Sequence, residues 1–476
     1  MDTGMNDLAI RLTETKGAYL YEQIYEYIRD EIKEGKLLAG EKLPSTRSLA
    51  EYLQVSRSTV ELAYSQLLSE GYMESVPYRG YYVCRVEELY QIRTEAEEKR
   101  PAAGETDGPE RSFDIDFSPN AIDMSAFPFG TWRKITREIL SDDSRELFAL
   151  GEARGDAGLR NTICRYLHSS RGVNASPEQI IVGAGNDYLL LLLQYILGRN
   201  ICVAFENPSY RRAYRIFSSF AERTVIVPSD GSGICVEGLR SAGAGVAYCM
   251  PSHQFPTGLI MPIGRRVELL KWAAEAEDRY LIEDDYDSEF RYRGKPVPSL
   301  QASDTAGKVI YVGTFSKSIA PAIRISFMVL PERLLERYRE TCGFFSSTVS
   351  RIDQTILNEF IRSGAFERHL NKMRKIYKDK HDILLEELKP LLTKYRLSGE
   401  NAGLHVLLTS RGPTREQELL RLAAERGVRI YGLEEAALAP MAEGRKQDGA
   451  TVLLGYAGLD ENRIREGVRR LREILV

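Results

Sequence analysis

The stretch YVGTFSKSIAPAIRISF, residues 311–327, places Lys317 just past an apolar run, among the hydroxyls of Thr314 and Ser316, with Arg324 seven residues further on. A lysine in this setting is either a tether whose head stays in water or an amine meant to react. Taken out of water beside a cation, an amine loses proton affinity and can form a Schiff base with an aldehyde. Arg324 is suited to bidentate contact with phosphate. Two other stretches carry chemistry. In VGAGNDY, residues 182–188, an apolar run ends in Gly183, Ala184 and Gly185 ahead of an apolar helix. Glycines let a backbone approach an anion and the helix N-terminus supplies free amides, although such glycines also serve simply to make a tight turn. In LIEDDYDSEF, residues 281–290, an apolar run passes directly into Glu283, Asp284 and Asp285, followed by Tyr286. An acid at a strand end can neutralise a protonated ring nitrogen, and a phenol two residues on can bond a neighbouring ring oxygen. Magnesium or calcium is the rival occupant, but the stretch has no histidine beside it and no spaced loop of oxygen ligands. Alone, Lys317 reads as a surface lysine after a strand. With a phosphate cradle and an acid–phenol pair it describes a pocket for pyridoxal phosphate, and no metal is expected.

These residues need a scaffold that brings three strand ends together. From residue 113 to 476, apolar runs (QIIVGAG, ICVAF, RTVIVP, GVAYCM, RYLIEDDY, KVIYVGTF) alternate with helical stretches such as DYLLLLLQYILG, YRRAYRIFSSF and RRVELLKWAAEAE. That alternation predicts an α/β fold, a mainly parallel sheet covered by helices, whose ligands collect at the carboxyl ends of the strands.

A chain of 476 residues sets a prior of two to three domains at ~150 residues each. The net charge of -4 advertises no chain-wide affinity for nucleic acid or anionic membrane. The six cysteines, Cys84, Cys164, Cys202, Cys235, Cys249 and Cys342, are widely spaced with no CxxC pair, which predicts reduced core thiols. The longest apolar run, YLLLLLQYILG, is too short for a membrane span of ~20 residues, so a cytoplasmic protein is expected. Residues 84–112, charged and holding Pro101, Gly104, Gly108 and Pro109, read as a linker between modules at 1–83 and 113–476.

In the small module, Leu20, Ile24, Ile28 and Ile32 repeat every four residues and predict an amphipathic helix. STRSLAEYL and SRSTVELAYSQLLSEGY each open on a capping serine and are separated by only QV, a helix-turn-helix. YMESVPYRGYYV then reads as a hairpin turning near Pro77 to Gly80, giving a winged helix. Its nine Lys and Arg against thirteen Asp and Glu count against DNA. Their placement counts the other way, since Lys42, Arg47, Arg57 and Arg79 fall where phosphates and groove edges are met when a third helix enters the major groove. A three-helix interaction module is the alternative.

Residues 20–83 resemble the GntR-type winged helix over their whole length, notably in LPSTRSLAEYL and in the phrase built on VSRSTV and EGY. By that resemblance Pro44, Ser45, Thr46 and Arg47 form the phosphate and base contact loop, Arg57, Ser58 and Thr59 belong to the recognition helix, and Gly80 to the wing. Residues from about 113 onward resemble the fold type I, class I aminotransferases through GDAGLRNTICRYL, FENPSYRRA, PSHQFPTGLIMP, IEDDYDSEFRY, GTFSKSIAPAIRISF and LLGYAGL. The whole order is similar to the MocR/GabR regulators. The resemblance implies a smaller C-terminal α/β subdomain and assigns Lys317 as the Schiff-base lysine, Asp284 as partner of the pyridine nitrogen and Tyr286 as partner of the ring hydroxyl. It makes Tyr210 the aromatic wall, Gly183, Ala184, Gly185, Thr314, Ser316 and Arg324 the phosphate cup, and Arg212 a basic residue facing the effector. A head-to-tail homodimer is implied too.

The chain departs from the enzymes at Phe255 in HQFPTG, where they carry asparagine, with His253 or Gln254 as stand-in. LFALGEARGDAGL lacks the tyrosine that enzymes send across the dimer interface. Where gamma-aminobutyrate sensors use an arginine, RIYGLEEAAL offers Glu434 and Glu435, which speaks against that effector unless both are simply solvated. Two functions are open: a pyridoxal phosphate-dependent transcriptional regulator that binds DNA and senses an amino compound by imine exchange at Lys317, or an aminotransferase with a fused winged helix, which would also need Lys317 to shuttle a proton.

Overall fold

Ile24, Ile28 and Ile32 form one buried stripe on the helix Leu20–Lys33, packed against Leu49, Val60, Ala63 and Leu67, while Leu20 at the helix start stays exposed. In this computed structural model the described residues are 10, 12, 19–85, 113–140, 145–292, 297–440 and 449–475. The chain divides into two compact units, Met1–Glu110 and Arg111–Val476. In the first, Ser45 Oγ accepts from the Ser48 amide at 3.1 Å and Ser56 Oγ from the Thr59 amide at 3.2 Å, capping the helices Thr46–Leu53 and Arg57–Ser69. The strands Met73–Val76 and Gly80–Val83 pair antiparallel as the wing. One strand is not apparent from the sequence pattern: Lys42–Leu43 pairs with Tyr82 and Tyr81 and closes the sheet edge. The Cys84 amide donates to Tyr72 O at 2.9 Å, which ties that residue to the head. The rest of the linker beyond Arg85 lies outside the described residues.

In the second unit seven strands form one sheet in the order Ile180–Gly183, Ser326–Val329, Val309–Thr314, Tyr280–Asp285, Val246–Cys249, Cys202–Phe205, Arg223–Ile226. All run parallel except Ser326–Val329, antiparallel to both neighbours. That strand runs antiparallel because a parallel return needs a crossover of a dozen or more residues, and the connection between Thr314 and Ser326 is shorter than that; with no helix ahead of it, the sequence pattern does not announce it. Side chains alternate between faces: Ile310 and Val312 join the layer of helices Asn186–Leu197, Arg211–Phe220 and Glu332–Cys342, while Tyr311 joins that of Ala157–Arg171 and Arg351–Arg362. A second sheet orders Tyr395–Ser398, His405–Ser410, Thr451–Gly455 and Tyr431–Gly432 antiparallel under the helices Ala365–Leu388 and Glu461–Leu475.

The chain entering this unit is anchored to the smaller layer. Ile115–Asp116 pairs with Val428–Arg429, the Gly455 amide donates to Phe117 O at 2.9 Å, and the Asp123 amide donates to Tyr377 Oη at 3.0 Å. Lys380 Nζ reaches Asp123 Oδ2 at 2.7 Å in a largely buried ion pair. Residues 115–123 therefore make a fixed strap. All six cysteines are free, but only Cys249 and Cys342 are buried and the other four are half-buried. Among the described residues no helix is long and apolar enough to cross a membrane, and no three potential metal ligands cluster.

Ile310 is fully buried one turn of pleat before the site, so Ile310→Ala is expected to lower stability by about 2–5 kcal/mol. A urea titration followed by tryptophan fluorescence checks this, and an unmoved midpoint would contradict the packing described.

Candidate functional site

Lys317 sits in the turn that follows Val309–Thr314, its stem beside the buried Phe315 and Ile319. Burial pushes its amine down to about 8, opposed only by the charge of Asp287. The Nζ donates to Pro119 O at 3.2 Å and Asn120 O at 3.0 Å, both on the strap. The lysine is thus half-desolvated and held by neutral acceptors, the condition under which an amine can act as a nucleophile.

The parallel neighbour strand carries Asp284 as its penultimate residue, and Asp284 is buried. Burial raises its carboxyl to about 7, although the hydrogen bond from Tyr248 Oη to Oδ2 works the other way. Asn186 Nδ2 approaches Oδ1 at 3.5 Å, and its own Oδ1 is buried without a partner. Tyr286 Oη lies 2.9 Å from His253 Nδ1, which lies 2.9 Å from Asp287 Oδ2. Tyr210, at the start of helix Arg211–Phe220, stands edge-on to Phe255, and Phe255 edge-on to Tyr286. Burial first, then the charges of Asp284 and Asp187, push the Tyr210 phenol up to about 12.

The glycine stretch forms the entrance to the helix Asn186–Leu197. Gly185 adopts φ +92°, and a Cβ there would fall 2.3 Å from Arg324 Nη2. The positive φ favours glycine, and a side chain there would also have to displace the guanidinium. A Cβ on Gly183 would meet Leu189 and Tyr188 at 2.7 and 2.8 Å, while the Ala184 amide donates to Thr348 Oγ1 at 3.1 Å. Across the cradle Thr314 Oγ1 accepts from the Ser316 amide at 3.1 Å and from Ser326 Oγ at 2.9 Å. Asp187 draws in both Arg324, at 3.6 Å, and Arg212, at 3.7 Å. Arg212 is exposed and reaches the cradle by way of Asp187. Glu434 and Glu435 are exposed on a single turn, with the Glu434 amide donating to the buried Glu416.

Asn186, Tyr248 and Asp287 are site residues that the sequence pattern does not single out. Tyr248 is a polar group inside an apolar strand, GVAYCM, and a buried phenol needs a partner. That was the available signal.

In the head, Lys42, Ser45, Arg47, Arg57 and Ser58 are exposed, Pro44 and Thr59 half-exposed. Arg47 and Arg57 rest on Glu51 and Glu61, at 3.1 and 2.8 Å. Gly80, at φ +110°, lies against the Lys42 stem, which joins the wing to the contact loop. Tyr64 Oη donates to Pro44 O at 2.9 Å, pinning that loop to the third helix. Thr46 corrects the expected contact set: its side is buried in the first helical turn, so it supports the loop from within instead of facing outward.

Comparison with known proteins agrees with both halves. Residues 20–83 match the family described as bacterial regulatory proteins, gntR family, and residues 115–471 match aminotransferase class I and II. YdeL of Bacillus subtilis (strain 168), an uncharacterized HTH-type transcriptional regulator, is 41% identical, covering 98% of this chain and 99% of its own. The probable rhizopine catabolism regulatory protein MocR of Rhizobium meliloti is 32% identical over 95% of this chain and 93% of its own. Among solved structures, Pyrococcus horikoshii kynurenine aminotransferase in complex with PMP has a TM-score of 0.65 at 26% identity, covering 82% of this chain and 94% of that one. An aminotransferase domain of this class implies pyridoxal phosphate. The donor set fits it: a cradle with no room for a Cβ at Gly185, an unpartnered Asn186 Oδ1, and a buried carboxyl at Asp284 short of a cation.

Burial raises Glu283 as it does Asp284, to about 7, against the amides of Leu300 and Gln301 that bond it at 2.7 and 2.9 Å. The unfolded carboxyl titrates near ~4, so the folded state holds the extra proton, and its stabilisation is complete below that value and lost as pH rises through about 7. The cofactor-free protein is therefore expected to unfold at lower urea at pH 8 than at pH 5.5, with a flatter dependence in Glu283→Gln. An equal slope in that variant would contradict the assignment.

Proposed function

The chain belongs to the MocR/GabR-like regulators of the gntR family, and from that premise we propose that it is a DNA-binding transcriptional regulator whose pyridoxal phosphate, held on Lys317, senses a primary amine. The observation that carries the reading is Lys317 itself, an amine with pKa lowered to about 8 by burial, set between the glycine–arginine cradle and the acid–phenol pair. Pyridoxal phosphate supplies, when bound, an aldehyde carbon that can be double-bonded to one amine and exchanged to another. Gly183, Ala184, Gly185, Thr314, Ser316 and Arg324 hold the phosphate. Asp284, braced by Tyr248 and Asn186, keeps the proton of the ring nitrogen in place, and Tyr286 faces the ring oxygen. Tyr210 walls the pocket, and Arg212 meets an anionic part of the effector from the cradle side.

The lysine also touches the strap. The carbonyls of Pro119 and Asn120 are acceptors that a free amine at Lys317 can engage with more than one proton. The strap leads back to residue 113, where the linker ends, so the bonding state of Lys317 is read by the segment nearest the DNA-binding half of the chain. A ligand shifts such an equilibrium only by its unequal affinity for the two states. A homodimer suits paired half-sites on DNA, and the exposed Phe148 and Leu150, at 73 and 92%, in the stretch that lacks the interface tyrosine, offer it apolar surface. A regulator acting on DNA works in the cytoplasm, and among the described residues no helix is long and apolar enough to cross a membrane.

Lys317→Ala is expected to abolish the near-visible absorbance of the cofactor while leaving affinity for the gene's own upstream DNA within about twofold, with binding that weakens steeply in salt. Adding amino acids with a keto acid acceptor is expected to shift the band without accumulating keto product. Sustained turnover would favour the aminotransferase reading, and the absence of a gel shift at every salt concentration would remove the DNA role.

A further inference from the structure

Helix Arg57–Ser69 is the second helix of the helix-turn-helix, the element whose first turns meet the base edges when such a motif docks in the major groove. Its inward side is set by Val60, Ala63, Tyr64 and Leu67, all buried in the core of the head. At about 100° per residue, the side farthest from that core is carried by Ser58, Leu62, Ser65 and Ser69, and all four are exposed. Three of them are serines. Leu62, at 57% exposure, is the one exposed apolar side chain of the helix.

A leucine left alone on an ordinary surface needs no explanation. Here the polar groups around it are already engaged within the head. Arg57 Nε and Glu61 Oε1 pair at 2.8 Å along one edge of the face, so their charges offset each other. Ser58 Oγ lies 2.8 Å from the capping Ser56 Oγ, and Ser69 Oγ donates to Gln66 O at 2.8 Å. Gln66 Nε2 in turn donates to Glu70 Oε1 at 3.1 Å. Groups that bond locally have less left with which to tell donors from acceptors on base edges. What stands beyond them is the isobutyl group of Leu62, one turn past Ser58 and still within the first two turns of the helix. The major-groove edge of DNA has one apolar feature to offer it, the C5 methyl of thymine.

We propose that Leu62 is a specificity-determining residue that recognises the C5 methyl of one thymine for each bound head. This rests on the DNA-binding reading given above. The contact discriminates by burial of apolar surface and not by hydrogen bonding, so it separates thymine from cytosine and from uracil. It carries no charge, and it therefore leaves the contacts to phosphate, and with them the salt dependence, unchanged.

The test is a double-mutant cycle between side chain and methyl, made with the full-length, cofactor-loaded protein. Duplexes covering the footprint on the gene's own upstream DNA are prepared with thymine or with uracil, which pair alike and differ by that methyl, and affinity is read by fluorescence anisotropy. The parent is expected to bind the uracil duplex about fourfold more weakly per head, the loss of one buried methyl. Leu62→Ala is expected to bind the thymine duplex more weakly by at least that factor, to lose less than about 1.5-fold more on uracil, and to keep the parent's salt slope. Leu62→Met, apolar and of similar volume, is expected to retain most of the uracil penalty. An effect of the methyl on DNA shape is common to every variant and cancels in the comparison. An equal uracil penalty in the parent and in Leu62→Ala would overturn the proposal, as would a Leu62→Ala affinity for thymine DNA equal to the parent's, or a Leu62→Met variant indifferent to uracil. Failure of the underlying reading looks different: the parent would bind neither duplex.

Discussion

A half-desolvated amine at the end of a buried strand is the constraint around which this pocket is arranged. Lys317 gives up hydration and gains only two carbonyl acceptors, so its proton is held weakly. Such an arrangement persists only where the surroundings fix it: Phe315 and Ile319 bury the turn, and Val309–Thr314 lies between two hydrogen-bonded neighbours. The buried acids on the adjoining strand are the counterpart. Glu283 is satisfied by backbone amides, Asp285 by Arg171 at 2.7 Å, and Asp284 by neutral donors. Asp284 and Asp285 are neighbours on one strand, yet only Asp285 has a charged partner within hydrogen-bond reach.

Much of this was legible from residue types. Six apolar runs in a βα alternation identified the sheet, and the structure brings the glycines, acids and lysine named from the sequence to the ends of neighbouring strands. The antiparallel strand Ser326–Val329 was hidden because its pattern continues an apolar run after a short turn, leaving no helix to announce a new strand. Lys42–Leu43 was hidden because two residues carry no period. His253 and Asp287 are 34 residues apart, and nothing in spacing pairs them; only the meeting of two strand ends does. Thr46 shows the opposite failure, where a motif placed a residue at an interface and the helix it opens rotated that residue inward.

The head illustrates how little net charge decides. It carries an acidic excess, yet Arg47 and Arg57 stand exposed on paired glutamates, in ion pairs of the exposed kind that are worth little. Local geometry is well defined there, with Tyr64 tying the loop at Pro44 to the third helix and Lys42 lying against the wing glycine.

The central claim is a covalent bond at one nitrogen. Borohydride treatment of the cofactor-loaded protein, followed by peptide mass analysis, should fix a phosphopyridoxyl group on Lys317 and nowhere else. An unmodified Lys317, or the added mass on another lysine, would contradict the account.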